Sequence, residues 1–112
     1  MNACRGLFSL LSIGLTAGCV PHETKQIGAT DTLANIPAIQ DAGREQDRSS
    51  IPALITQLDS DDSAVRFYAI SSLQKLTNQT LGYRYYEDAD TRRPAVTRWK
   101  NWLAAQPPVA PK

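Results

Sequence analysis

Apolar residues recur at helical spacing through the middle of this chain. Ile51, Leu54, Ile55 and Leu58 stand at i, i+3, i+4 and i+7, one stripe along a helix. Ser49 and Ser50 precede Ile51-Pro52, and a serine cap followed by proline in the first turn marks a helix start. The spacing predicts a helix over Ser50–Leu58. Asp59-Ser60-Asp61-Asp62 interrupts the stripe, and its acids suit the positive N-terminal end of a following helix. From Ser63 the period returns through Val65, Tyr68, Ala69, Ser72, Leu73 and Leu76, predicting a helix over Ser63–Leu76 that Asn78 ends in a left-handed turn. Two helices joined by so short a turn lie roughly antiparallel, stripes facing.

Asn78 to Asp90 reads as a loop carrying Gly82, Tyr83, Tyr85 and Tyr86. A third helix is expected over Thr91–Ala105, with Pro94 early and Ala95, Val96, Trp99, Trp102 and Leu103 on its apolar side. Ahead of Ser49, Ile36, Ile39 and Ala42 allow a weaker helix over Ile36–Gln46. No stretch alternates apolar and polar residues with β-branched enrichment, so no strand is expected. The fold class read from the pattern is all-α.

The first residues follow a different logic. Met1 to Arg5 is a short basic start, Leu7 to Leu15 an apolar run, and Thr16-Ala17-Gly18 a small-residue end before Cys19. That order is a secretory signal. The run is shorter than the roughly 20 residues a spanning helix needs. Leu15-Thr16-Ala17-Gly18-Cys19 resembles the lipobox of bacterial lipoproteins. The resemblance implies removal of residues 1–18 and lipid on the Cys19 thiol. Thr16 departs from the commonest pattern, which has Leu three places before the cysteine. The alternative is an ordinary signal cut after Gly18. In that family an Asp after the cysteine favours the inner membrane. Val20 stands there, which implies an outer-membrane lipoprotein facing the periplasm.

Residues 19–34 mix Pro, His, Thr, Lys and Gly without period and read as a flexible tether with a reach of roughly 20 Å. Residues 35–105 form the expected helical module, and 106–112 a Pro-rich tail, Gln106-Pro107-Pro108-Val109-Ala110-Pro111-Lys112. A second resemblance lies in the module. Ile51-Pro52-Ala53-Leu54, Leu58, Asp61-Asp62, Val65-Arg66, Ala69 and Leu73 are similar to a HEAT repeat, an antiparallel helix pair that stacks into solenoids. Leu76 to Tyr83, then Ala95-Val96 and Trp99-x-x-Trp102, are similar to the closing segment of some bacterial HEAT-like domains. In such repeats the arginine packs along neighbouring repeats. One full repeat is visible.

Charge and chemistry then narrow the function. Lys+Arg 12 against Asp+Glu 11 gives a net charge of +1. Loss of Arg5 with the signal leaves 11 of each sign. Without a basic field, nucleic acid is not an expected partner. Cys4 leaves with the signal and Cys19 carries lipid, so no disulfide is available. His22, the only histidine, has no positioned neighbours to make a metal site or a catalytic base. Asp59, Asp61 and Ser63 begin a calcium-loop spacing, but Ala64 stands where Gly is required and Ile70 where the bidentate Glu belongs. No metal, cofactor or acid–base–nucleophile set is expected, and the chain does not read as an enzyme.

The remaining candidates are aromatic, with one arginine. Tyr83, Tyr85, Tyr86 and Trp102 either fill the core or stand exposed for a partner. Arg66 either bridges within the repeat or meets a partner. The expected role is a membrane-anchored interaction or scaffold module of the bacterial cell envelope, docking on an envelope protein or a second copy. The alternative is a glycan or peptidoglycan binder using the tyrosine loop.

Overall fold

The computed structural model describes residues 26–107. The signal segment, Cys19, His22 and most of the Pro-rich tail lie outside those residues. The described part holds four α-helices, α1 (Thr32–Arg44), α2 (Ile51–Gln57), α3 (Ser63–Thr77) and α4 (Ala89–Ala104), with a 3₁₀ turn at Arg48–Ser50 and no strand. The all-α expectation is met.

α2 and α3 form the centre. Leu54, Leu58, Ala69 and Leu73 are fully enclosed, and Ile51, Ile55, Val65 and Leu76 nearly so. These are the residues of the two stripes, so helical period and burial agree. The pair is antiparallel. Arg48, at the start of α2, donates from Nη1 to the carbonyl of Leu76 at the end of α3 at 2.7 Å. Asp62 caps α3 by accepting from the Ala64 N–H at 2.8 Å. Asn78 closes it in the left-handed region, φ 58°. Of the four polar residues in the interrupting turn, Asp62 is the cap, whereas exposed Asp59 faces Lys100 at 3.6 Å.

The start of α2 differs from the expected serine cap. Ser50 makes no capping side-chain bond. Asp47 does that work one turn earlier, accepting from the Ser49 N–H at 3.1 Å and the Ser50 hydroxyl at 2.8 Å. The two serines are thus gathered into a 3₁₀ turn, and Pro52 needs no donor in the first turn of α2.

α1 is a major element and starts before Ile36. It begins at Thr32, so the last residues of the expected tether are helical. Asn35 explains the early start. Its buried amide accepts from the Gly28 N–H at 2.8 Å and donates to Gln57 at 3.1 Å, fixing the turn before α1 to α2. Ile27 packs on the core from that turn. α1 runs in the same direction as α3. Thr32 donates to Asp62 at one end, 3.4 Å, and the Ser72 hydroxyl donates to the Ile39 carbonyl further along, 2.7 Å. Gly43 marks their closest approach, since a Cβ there would lie 2.8 Å from Ser72 Oγ. α1 ends at Gln46 in the left-handed region, φ 54°, with the Asp47 N–H returning to the Ala42 carbonyl at 3.0 Å, a Schellman closure.

α4 covers the other side of the pair through Ala95, Val96 and the fully enclosed Trp99. It starts at Ala89, two residues earlier than expected, because Asp88 accepts from the Thr91 N–H at 2.8 Å. That bond holds the Asp88 carboxyl below its ordinary pKa. No described helix is long and apolar enough to cross a membrane.

Candidate functional site

The loop between α3 and α4 builds the candidate surface. It leaves α3 at Asn78 and turns at Thr80–Tyr83, where the Tyr83 N–H returns to the Thr80 carbonyl at 3.0 Å. Both central residues, Leu81 (φ 52°) and Gly82 (φ 75°), are left-handed. Glycine suits the second of these, since a Cβ there would also meet Arg98 at 2.8 Å. α4 holds the turn from outside. Trp99 Nε1 donates to the Thr80 carbonyl at 2.9 Å and Arg98 Nε to the Leu81 carbonyl at 2.8 Å.

Tyr83, expected in the loop as a candidate contact, is buried instead. Its exposure is 5%, and its hydroxyl donates to the carbonyl of Leu58 at 2.7 Å. Leu58 ends α2, where helical carbonyls lack partners within the helix, so the phenol satisfies one of them. Burial pushes its pKa up to about 12, against the opposing pull of Arg92 and Arg66 and with a smaller upward push from Asp59. Tyr83 therefore offers no surface to a partner.

Arg66 is likewise turned inward, at 8% exposure. Nη1 donates to the Ser60 carbonyl at 2.6 Å and Nε to the Tyr85 carbonyl at 3.0 Å. Of the two roles open to it, the structure displays bridging, between the α2–α3 turn and the tyrosine loop. Arg92, also buried, donates to the Glu87 carbonyl near the loop's end.

That bridging sets Tyr85 against α3. Tyr85 meets Phe67 edge to face, ring centroids 5.0 Å apart. Phe67 meets Tyr68 at 5.1 Å, and Tyr85 meets Tyr86 at 5.4 Å. Four rings thus form one row, Tyr68, Phe67, Tyr85 and Tyr86. Phe67 and Tyr86 are the exposed large hydrophobic residues of the described chain, at 41% and 67%. Edge-to-face contact lets rings hold one another while one face stays open. Beside the row lies a shallow groove of about 300 Å³ between α1 and α3, with Phe67 and Tyr68 in its wall and Gln40, Arg44, Ser71 and Lys75 around it.

Trp102 belongs elsewhere. It is half-buried and stacks edge to face on Trp99 at 5.5 Å. No ring contact joins this pair to the row among the described residues. Of the five module residues singled out from sequence, the structure brings Tyr85 and Tyr86 together, keeps Trp102 apart at a second place, and encloses Tyr83 and Arg66. Phe67 was not among them. It falls off the apolar stripe of α3, and an off-stripe phenylalanine on an amphipathic helix was the signal available.

Among the described residues, no group of three His, Cys, Asp or Glu side chains is placed to hold a metal. No protein-family model, curated protein or solved structure matches this chain.

Proposed function

We propose that this protein is a lipid-anchored interaction module of the bacterial cell envelope, tethered through Cys19 and binding an envelope protein with the Phe67–Tyr85–Tyr86 row. The observation that carries the binding role is the exposure of Phe67 and Tyr86 side by side in one ring-to-ring row. Large side chains left open at one place on an otherwise enclosed fold mark a contact surface. The anchor rests on the charge-free run ending in Thr16-Ala17-Gly18-Cys19, and the outer membrane on Val20. The HEAT-like reading of α2 and α3 is part of the same proposal and is supported by their antiparallel pairing.

A second reading is favoured by the groove beside the row. Its polar wall of Gln40, Ser71 and Lys75 next to two aromatic rings suits a sugar, whose faces stack on rings while its hydroxyls find hydrogen bonds. One experiment separates the two. A photo-crosslinking residue at Tyr86 in living cells should trap an envelope protein, and Phe67→Ser should weaken that product severalfold at unchanged helical content. Binding to purified cell wall that Phe67→Ser removes, with no protein trapped, selects the glycan reading. Neither result leaves the row without a binding role. Labelling with a fatty-acid analogue tests the anchor separately: wild type takes up label and Cys19→Ala does not.

A further inference from the structure

A second groove, of about 480 Å³, lies on the opposite flank of α1 from the aromatic row. Ala38 and Ala42, both buried, form its floor with half-buried Ala53 and Ile27. Three carboxylates, Asp41, Glu45 and Asp47, line it, and no lysine or arginine does. Gln26 also lines it, so the chain enters the described fold at this groove. The residue immediately before Gln26 is Lys25, and the segment leading to it, Val20-Pro21-His22-Glu23-Thr24-Lys25, begins apolar and ends basic.

We infer that residues 20–25 dock back along this groove, with the Lys25 ammonium over the Asp41 and Glu45 carboxylates and Val20-Pro21 on the alanine floor. Three features of the page converge on this occupant. The segment starts where the groove starts, so docking closes almost no loop and costs little chain entropy. The only basic residue that the chain must bring to the groove's edge meets a wall of acids. Small alanines leave room for an apolar segment, and the volume holds several side chains, against about 30 Å³ for one water. Glu23, the segment's one acid, opposes the fit and sets a limit on its strength.

The docking itself does not require the lipid anchor; its consequence does. If Cys19 carries lipid, a docked segment brings the module down to the headgroups, where a free tether would let it stand roughly 20 Å away. The groove would then set the height at which the aromatic row meets its partner.

Trypsin reads the docking directly, because it must draw Lys25 into its own pocket to cut before Gln26. The test uses the chain from residue 19 carrying Cys19→Ser, since the described core closes without any residue before Gln26. Cutting after Lys25 is followed by mass spectrometry and normalised to a synthetic peptide of residues 19–31. We expect the chain to be cut at least about tenfold more slowly than the peptide. Glu45→Gln, at an exposed position, should speed the cut about 2–5-fold, the worth of one partly exposed ion pair, and Glu23→Gln should slow it. A chain cut as fast as the peptide, or protection unchanged in Glu45→Gln, overturns the inference. The sample carries no lipid, so the result stands apart from the labelling of Cys19.

Discussion

Replacing Tyr83 by phenylalanine removes one oxygen and tests how the loop is held. The ring stays, so packing in the core is nearly conserved. The Leu58 carbonyl at the end of α2 loses the donor now 2.7 Å away. A net hydrogen bond contributes about 0.5–1.5 kcal/mol, and a buried group left unsatisfied costs about 1–3 kcal/mol. We expect Tyr83→Phe to be about 1–2 kcal/mol less stable at pH 7 by urea unfolding followed at 222 nm. The phenol adds a pH signature. Its pKa in the fold is about 12 against an ordinary 10.0. A folded pKa raised above the unfolded one means that the folded state holds the proton longer. The contribution is therefore fully present below pH 10 and is lost as pH rises toward 12. At pH 11 the unfolded phenol is mostly ionised and the folded one mostly neutral, a loss of about 1.4 kcal/mol relative to neutral pH. Phenylalanine does not titrate. The stability gap between wild type and Tyr83→Phe should thus narrow by about 1.4 kcal/mol between pH 8 and pH 11. A gap that stays constant across that range would refute the buried phenol as the group that senses alkali. No gap at pH 7 would refute the bond to Leu58.

Two further substitutions probe the helix packing. Leu54→Ala and Leu73→Ala each empty a fully enclosed position and should each lower stability by about 2–5 kcal/mol in the same urea assay; a change below about 0.5 kcal/mol at both would mean that the two stripes do not face each other. Gly43→Ala adds a methyl 2.8 Å from Ser72 Oγ and 3.1 Å from Ser72 Cα, so α1 and α3 must move apart at a cost of about 1–3 kcal/mol; a variant as stable as wild type would place their contact elsewhere.

The central pair was legible because its stripes are made of large residues. Leu54, Leu58 and Leu73 declare a face by size and spacing, and turn acids such as Asp62 mark the next start. α1 was harder to read because its buried face uses small residues. Ala38, Ala42 and Gly43 carry little hydrophobic signal, yet their smallness is what allows α1 to approach Ser72 closely. Its start was hidden for another reason. Asn35 fixes the preceding turn through Gln57, twenty-two residues away, and local periodicity contains nothing of that contact. The cap of α2 was misplaced by the same kind of ambiguity. Ser49 and Ser50 both suit a helix start, and Asp47 wins because one carboxylate can gather both serines. Within the candidate surface, the crowding of aromatics after Gly82 was visible, but its division was not. Which tyrosine turns inward depends on the Leu58 carbonyl, and the spacing of Tyr83, Tyr85 and Tyr86 cannot reveal that.

The way α2 and α3 are covered bears on what the exposed row can be. In a solenoid a helix pair buries its faces against the next repeats, and the end units stay open or are capped. Here α1 lies along α3 and α4 covers the pair from another side, so the apolar stripes of the pair are consumed within one chain. Phe67 and Tyr86 are therefore not the uncovered remainder of a missing repeat. Phe67 lies off the buried stripe of α3, and Tyr86 arrives from a loop held by Arg66, Tyr83, Arg98 and Trp99 through four backbone carbonyls, those of Tyr85, Leu58, Leu81 and Thr80. Such anchoring limits the entropy that the surface must lose when something binds it. A loop tied down at that many points, with its two most exposed rings turned outward together, is better suited to receiving a partner than to completing its own core.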